Sequence, residues 1–153
     1  MGRISKTDYY FELAKVNSQR ATCLRRRFGA IIIKDDVVVS MGYCGAPRGA
    51  KNCIDLEKCI REEQKVPSGE RYELCRSVHA EMNAIINAAT SGVNISEGEL
   101  YLYGEDAKTG KLAPYEPCFL CKRDIINAKL KNVYVKTESG FNTFNVKNWI
   151  GEI

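Results

Sequence analysis

The stretch FGAIIIKDDVVVSMGY, residues 28–43, decides the fold. Two runs rich in β-branched residues flank Asp35-Asp36, the pattern of two strands joined by a tight turn. Both runs are nearly continuous in apolar residues, whereas a sheet with one wet face alternates apolar with polar. The hairpin therefore predicts a sheet covered on both faces, with helices as the cover. Upstream, residues 5–19 read as a helix: Ser5 and Thr7 can cap it, and Tyr10, Leu13, Ala14 and Asn17 fall at helical spacing.

Downstream, Val78 to Ser91 reads as a helix with Val78, Met82, Ile85, Ile86 and Ala89 in one stripe and Gly92 as its stop. GELYLYG (98–104) reads as a strand. Cys118 to Leu130 reads as a second helix, opened by Pro117, with Ile126 and Leu130 among its inward residues. NVYVKT (132–137) is another strand, FNTFNV (141–146) a candidate last strand and KNWIGEI (147–153) a helical turn. Strands alternating with helices after an opening hairpin give a layered α/β fold. Residues 44–75 are different: polar, turn-rich and weakly periodic, with four cysteines. A structureless segment this long is unusual in a compact domain unless something staples it.

The bulk numbers fit one soluble domain over residues 1–153. A net charge of +4 describes a solvated surface more than a nucleic-acid binder. No run approaches the roughly 18 apolar residues of a membrane span, and the opening residues show neither a secretory h-region nor a myristoylation pattern. The expectation is a cytoplasmic protein. In a reducing compartment its seven cysteines are metal ligands or buried thiols, not disulfides.

Two motifs carry chemistry: HAE (His79-Ala80-Glu81), which holds the only histidine in the chain, and PCFLC (Pro117 to Cys121). Each opens one of the two best helices. Cysteines at i and i+3 share a helix face and can grip one ion, with thiolates favoured near a helix N-terminus. His79 from the other helix mouth completes a Cys₂His set, which leaves one tetrahedral position open, as in catalytic zinc. Glu81 then stands beside the metal as a carboxylate that does not ligate. A buried core histidine and two inert thiols would each be ordinary alone, but not together at matching helix starts. Cys23, Cys53, Cys59 and Cys75 are candidates for a second, structural Cys₄ zinc stapling the 44–75 segment; the alternative is four thiols packed as small hydrophobes.

H-x-E followed by P-C-x-x-C is the signature of the zinc deaminases. From about residue 7 to 136 the chain resembles the cytidine and deoxycytidylate deaminase superfamily, and within it most the deoxycytidylate deaminases, through TCLRRRFGAIIIK, GYCGAPRG and VHAEMNAII. The resemblance implies a three-layer α/β/α sandwich on a mixed central sheet. It implies Zn²⁺ held by His79, Cys118 and Cys121, water attacking C4 of a cytosine nucleotide, and Glu81 moving the protons. The expected reaction is dCMP to dUMP plus ammonia. Substrate contacts are expected from Arg26, Tyr43, Cys44, Arg48 and Asn83, the arginines matching a phosphate's bidentate geometry. The resemblance also implies a homo-oligomer and dCTP or dTTP as effectors.

Two departures stand out. Cys44 occupies the place of an Asn expected to touch the sugar, and a thiol is a poor hydrogen-bonding substitute. Gly104 to Glu116 forms a polar insertion, expected to be a surface loop, with a lid over the pocket as the lesser reading. Competing functions are a deaminase of another cytosine nucleoside or of guanine, a deaminase of tRNA or single strands, which should show a basic groove with aromatics, and a zinc-stapled binding module without turnover.

Overall fold

The computed structural model describes residues 2–153. In chain order it contains α1 (Lys6–Ser18), β1 (Arg26–Lys34), β2 (Val37–Tyr43), the short helices α2 (Cys53–Leu56) and α3 (Ile60–Glu63), α4 (Ala80–Thr90), β3 (Glu99–Asp106), α5 (Phe119–Asn127), β4 (Asn132–Thr137), β5 (Gly140–Asn145) and α6 (Val146–Trp149). The sheet order is β2-β1-β3-β4-β5. Only β3 and β4 run parallel; the other pairs are antiparallel. Asp35 and Asp36 both take positive φ, 51° and 63°. That is the two-residue turn whose twist matches a hairpin, and aspartate tolerates it.

Side-chain alternation divides the core between the two sheet faces. Ile31, Ile33, Tyr101 and Tyr103 meet Tyr10, Phe11 and Ala14 of α1. Ala30, Ile32, Leu100, Leu102, Val133 and Val135 meet α4, α5 and α6. The layers are α/β/α on a mixed sheet, as expected, and among the described residues no helix is long and apolar enough to cross a membrane.

The inward stripes differ from the periodicity. On α1 the buried residues are Tyr10, Phe11, Ala14 and Ser18; Leu13 packs only at the margin, and Asn17 instead donates to the carbonyls of Gly42 and Ala30. On α4 the inward face is Ala80, Glu81, Ala84 and Ala88, while Ile86 is 39% exposed and Ala89 is exposed. The reason is a close approach: a Cβ on Gly42 of β2 would meet the backbone of Ala84, Ala80 and Asn83. A helix seated this near a strand has room only for small side chains. Similarly, α5 buries Ile125, and Ile126 is half-buried.

Residues 44–75 are held by hydrogen bonds. Gly45 and Val78 exchange a bridge (3.1 and 2.7 Å), Thr22 N donates to Cys44 O (3.0 Å), and Ile54 N donates to Thr22 O (3.3 Å). The 104–116 insertion begins as a continuation of β3: Glu105 bridges Leu112, and Asp106 N donates to Lys111 O (2.8 Å).

Candidate metal centre

His79 is the N-cap of α4 and Cys118 the N-cap of α5, both in extended conformation. Because α4 and α5 pack side by side on one sheet face, their starts open onto the same space. Cys121, one turn into α5, points the same way. His79 Nδ1 lies 3.5 Å from Cys118 Sγ and 3.4 Å from Cys121 Sγ. A tetrahedral ion with Zn–S of about 2.3 Å and Zn–N of about 2.0–2.1 Å sets sulfur and nitrogen about 3.5 Å apart. The three atoms therefore have zinc spacing. Among the described residues they form the one group of three or more metal-ligating side chains at that spacing.

The electrostatics agree. The Cys121 hydrogen bond, together with His79, brings the Cys118 thiol down to about 4 against the opposing pull of burial, while the same bond and burial push Cys121 up. A divalent cation would favour the thiolate form of both. Burial pushes the His79 imidazole down, but Cys118, Cys75 and Glu81 outweigh it and raise it to about 11. Glu81, the second residue of α4, is 5% exposed, and burial pushes its carboxyl up.

These groups sit on the wall of a cavity of about 680 Å³, the size of a nucleotide-class site. Of the expected substrate contacts, Arg26 and Cys44 reach it; Tyr43, Arg48 and Asn83 do not. Asn83 donates to the carbonyl of Tyr43 (2.8 Å) and so fixes β2 to α4, and Arg48 donates to Asn87 Oδ1 (2.8 Å) on the outer surface. The Cys44 sulfur accepts from Phe28 N and donates to Arg26 O, each at 3.4 Å. It is buried, and burial pushes its thiol up to about 12. It tethers the glycine loop to β1 and has no hydrogen left for a sugar.

Cys23, Cys59 and Cys75 line the same cavity, and Cys53 lies near enough to feel all three. The four sulfurs are not drawn into a ligand-spaced group: Cys53 faces Ser77 Oγ (4.0 Å), and Cys23 accepts from Arg25 N. Burial pushes Cys75 up, but His79 and the Ser77 N–H more than offset it.

The sequence reading missed much of the wall. Pro114, Tyr115 and Glu116 of the insertion line the cavity, so this end of it faces the site; Phe144 and Glu152 close it from the C-terminal side. Lys122 joins the two by pairing with Glu116 (2.9 Å) and Glu152 (3.2 Å). Arg61 and Tyr72, from the polar middle segment, form a further wall. Only the aromatic character of Tyr72 and Tyr115 could have flagged them.

The family model for the cytidine and deoxycytidylate deaminase zinc-binding region matches residues 4–137. The chain is similar to the deoxycytidylate deaminase of Schizosaccharomyces pombe, 30% identical over 135 residues that cover 88% of this chain and 38% of that protein. It is likewise similar to the deoxycytidylate deaminase of Mycobacterium phage D29, 31% identical over 144 residues, covering 91% of this chain and 100% of the phage protein. The chain thus spans well under half of the yeast relative's length. Among solved structures it is similar to the dCMP deaminase of cyanophage S-TIM5 in complex with dCMP and dUMP: TM-score 0.61, 25% identity, 87% of this chain and 82% of that one.

Proposed function

The chain belongs to the cytidine and deoxycytidylate deaminases, and from that premise we propose that it removes the amino group of dCMP hydrolytically, giving dUMP and ammonia. One observation carries the reading: a buried carboxylate that makes no part of the ligand set stands beside three zinc-spaced ligands on the wall of one nucleotide-sized cavity. A structural zinc site has no use for such a carboxylate.

His79, Cys118 and Cys121 would hold the zinc, which supplies a Lewis acid for activating water. Glu81 handles the protons. Its carboxylate takes one from the attacking water and delivers it to N3 of the cytosine. It then takes the second proton, from the hydroxyl now on C4, and passes it to the amino nitrogen, which leaves as ammonia while C4 becomes a carbonyl. Burial favours the neutral acid, so Glu81 can hold a proton between these steps. Phe28, Tyr72 and Phe119 line the same cavity and offer the flat base apolar walls.

Cys23, Cys59 and Cys75 line one wall of the cavity and Cys53 faces Ser77 close by; a second, structural zinc that would draw the four together is part of the proposal. All seven cysteines are unpaired, in keeping with a cytoplasmic protein. A homo-oligomer responding to dCTP and dTTP completes the proposal. The test is ammonia release from dCMP, dCTP, CMP, cytidine, deoxycytidine and guanine. Preference for dCMP is expected; preference for an unphosphorylated compound would reject the nucleotide reading.

A further inference from the structure

Four cationic side chains border the cavity: Arg25, Arg26, Arg61 and Lys122. Three are neutralised locally, Arg25 by Glu62, Arg26 by Asp106, and Lys122 by Glu116 and Glu152. Arg61 is the most buried of the four, 6% exposed, and among the described residues no carboxylate pairs with it. Its position is nonetheless fixed. Nη2 donates to the carbonyls of Pro67 (3.1 Å) and Glu70 (2.8 Å), and the guanidinium lies 4.3 Å from the centre of the Tyr72 ring. The Nε–H is buried and has no partner. A guanidinium taken out of water without an anion is strongly unfavourable, and its planar fork suits the oxygens of a phosphate.

We propose that Arg61 is the anion subsite of this cavity, its guanidinium holding the phosphate of the nucleotide whose base lies at His79 and Glu81. The spatial order fits. Tyr72 meets the His79 ring edge-on at 5.2 Å, so one aromatic ring separates Arg61 from the imidazole, as one sugar separates phosphate from base. Ser68 and Gly69 line the wall beside it. Arg26, held 2.7 Å from Asp106 Oδ2, already has its countercharge. The subsite rests on the nucleotide reading above, but its test does not depend on turnover.

The zinc-loaded protein is titrated with dUMP and with deoxyuridine, in the wild type and in Arg61→Gln. dUMP should bind the wild type more tightly than deoxyuridine does. Arg61→Gln should weaken dUMP by about 10- to 100-fold, the range for a lost charge-assisted hydrogen bond, and leave deoxyuridine within about twofold. A residue that only staples the 67–70 turn would weaken both ligands equally, and that result overturns the subsite. If Arg61→Gln does not fold, Arg61→Lys, which keeps the charge without the planar fork, carries the same comparison. Loss of phosphate preference in a chain that deaminates nothing would reject the deaminase reading and retain the subsite. Turnover of dCMP with an unchanged preference in the variant would reject the subsite alone.

Discussion

Gly42 sets how deeply α4 sits, and Gly42→Ala measures it. Gly42 lies on β2 with an ordinary negative φ, so alanine can adopt its backbone and would gain about 0.4–1 kcal/mol from a stiffer unfolded chain. Only the neighbouring helix opposes it. The added Cβ falls against the backbone N of Ala84, 2.5 Å from the carbonyl O of Ala80 and 2.8 Å from the carbonyl C of Asn83. Comfortable contact begins near about 3.5 Å, so α4 must retreat by about 1 Å. These are backbone atoms, and no rotamer relieves them. Overpacking of this kind costs about 1–3 kcal/mol, which lowers Tm by about 2–4 °C per kcal/mol at this chain length. The same retreat carries His79 and Glu81 away from α5, and about 1 Å of misplacement can reduce turnover about 100-fold. The assay pairs a thermal melt with dCMP deamination, using Gly151→Ala as control, since nothing lies within 4 Å of a Cβ there. A Gly42→Ala protein that melts and turns over like the control would refute the close seating of α4.

Metal content is a second check: two zinc ions per chain are expected, and Cys118→Ser should remove one of them while leaving the other. One ion in the wild type would remove the Cys₄ proposal. Stability should also fall at alkaline pH. The Asp36 hydrogen bond pushes Tyr10 up to about 12, and burial does the same to Tyr101 and Tyr103. Unfolded tyrosines titrate near about 10, so between pH 10 and 12 the unfolded chain loses protons that the folded chain keeps. The tyrosine contribution is intact below about pH 10 and lost as pH rises toward 12. Denaturant midpoints should trace that decline, less steeply in Tyr10→Phe; a flat profile would contradict the burial of these hydroxyls.

What could be read from the sequence was local. Asp35-Asp36 fixed the hairpin because its turn chemistry is complete within two residues. The apolar stripe of α4 and Pro117 before α5 marked the two helix starts, although neither His79 nor Cys118 caps its helix with its side chain. The alanine face of α4 was hidden because hydrophobicity ranks Ile85 and Ile86 above Ala84, and only the distance to Gly42 reverses that order. The tie of Cys44 to β1 was hidden for a similar reason: its thiol meets the backbone of Phe28 and Arg26, which no local pattern announces. Arg61 looked like one charge among 23 Lys and Arg residues. Its burial without a carboxylate exists only once the 60–72 segment folds over the cavity.

The most direct measurement compares dCMP-to-dUMP conversion by the zinc-loaded wild type and by Glu81→Gln, with metal content and melting temperature determined on both. Glu81→Gln should keep its zinc and its fold and lose about 10²–10⁴-fold in rate, the range for a positioned acid–base group. Conversion at the wild-type rate by a folded, zinc-loaded Glu81→Gln protein would contradict the assigned chemistry.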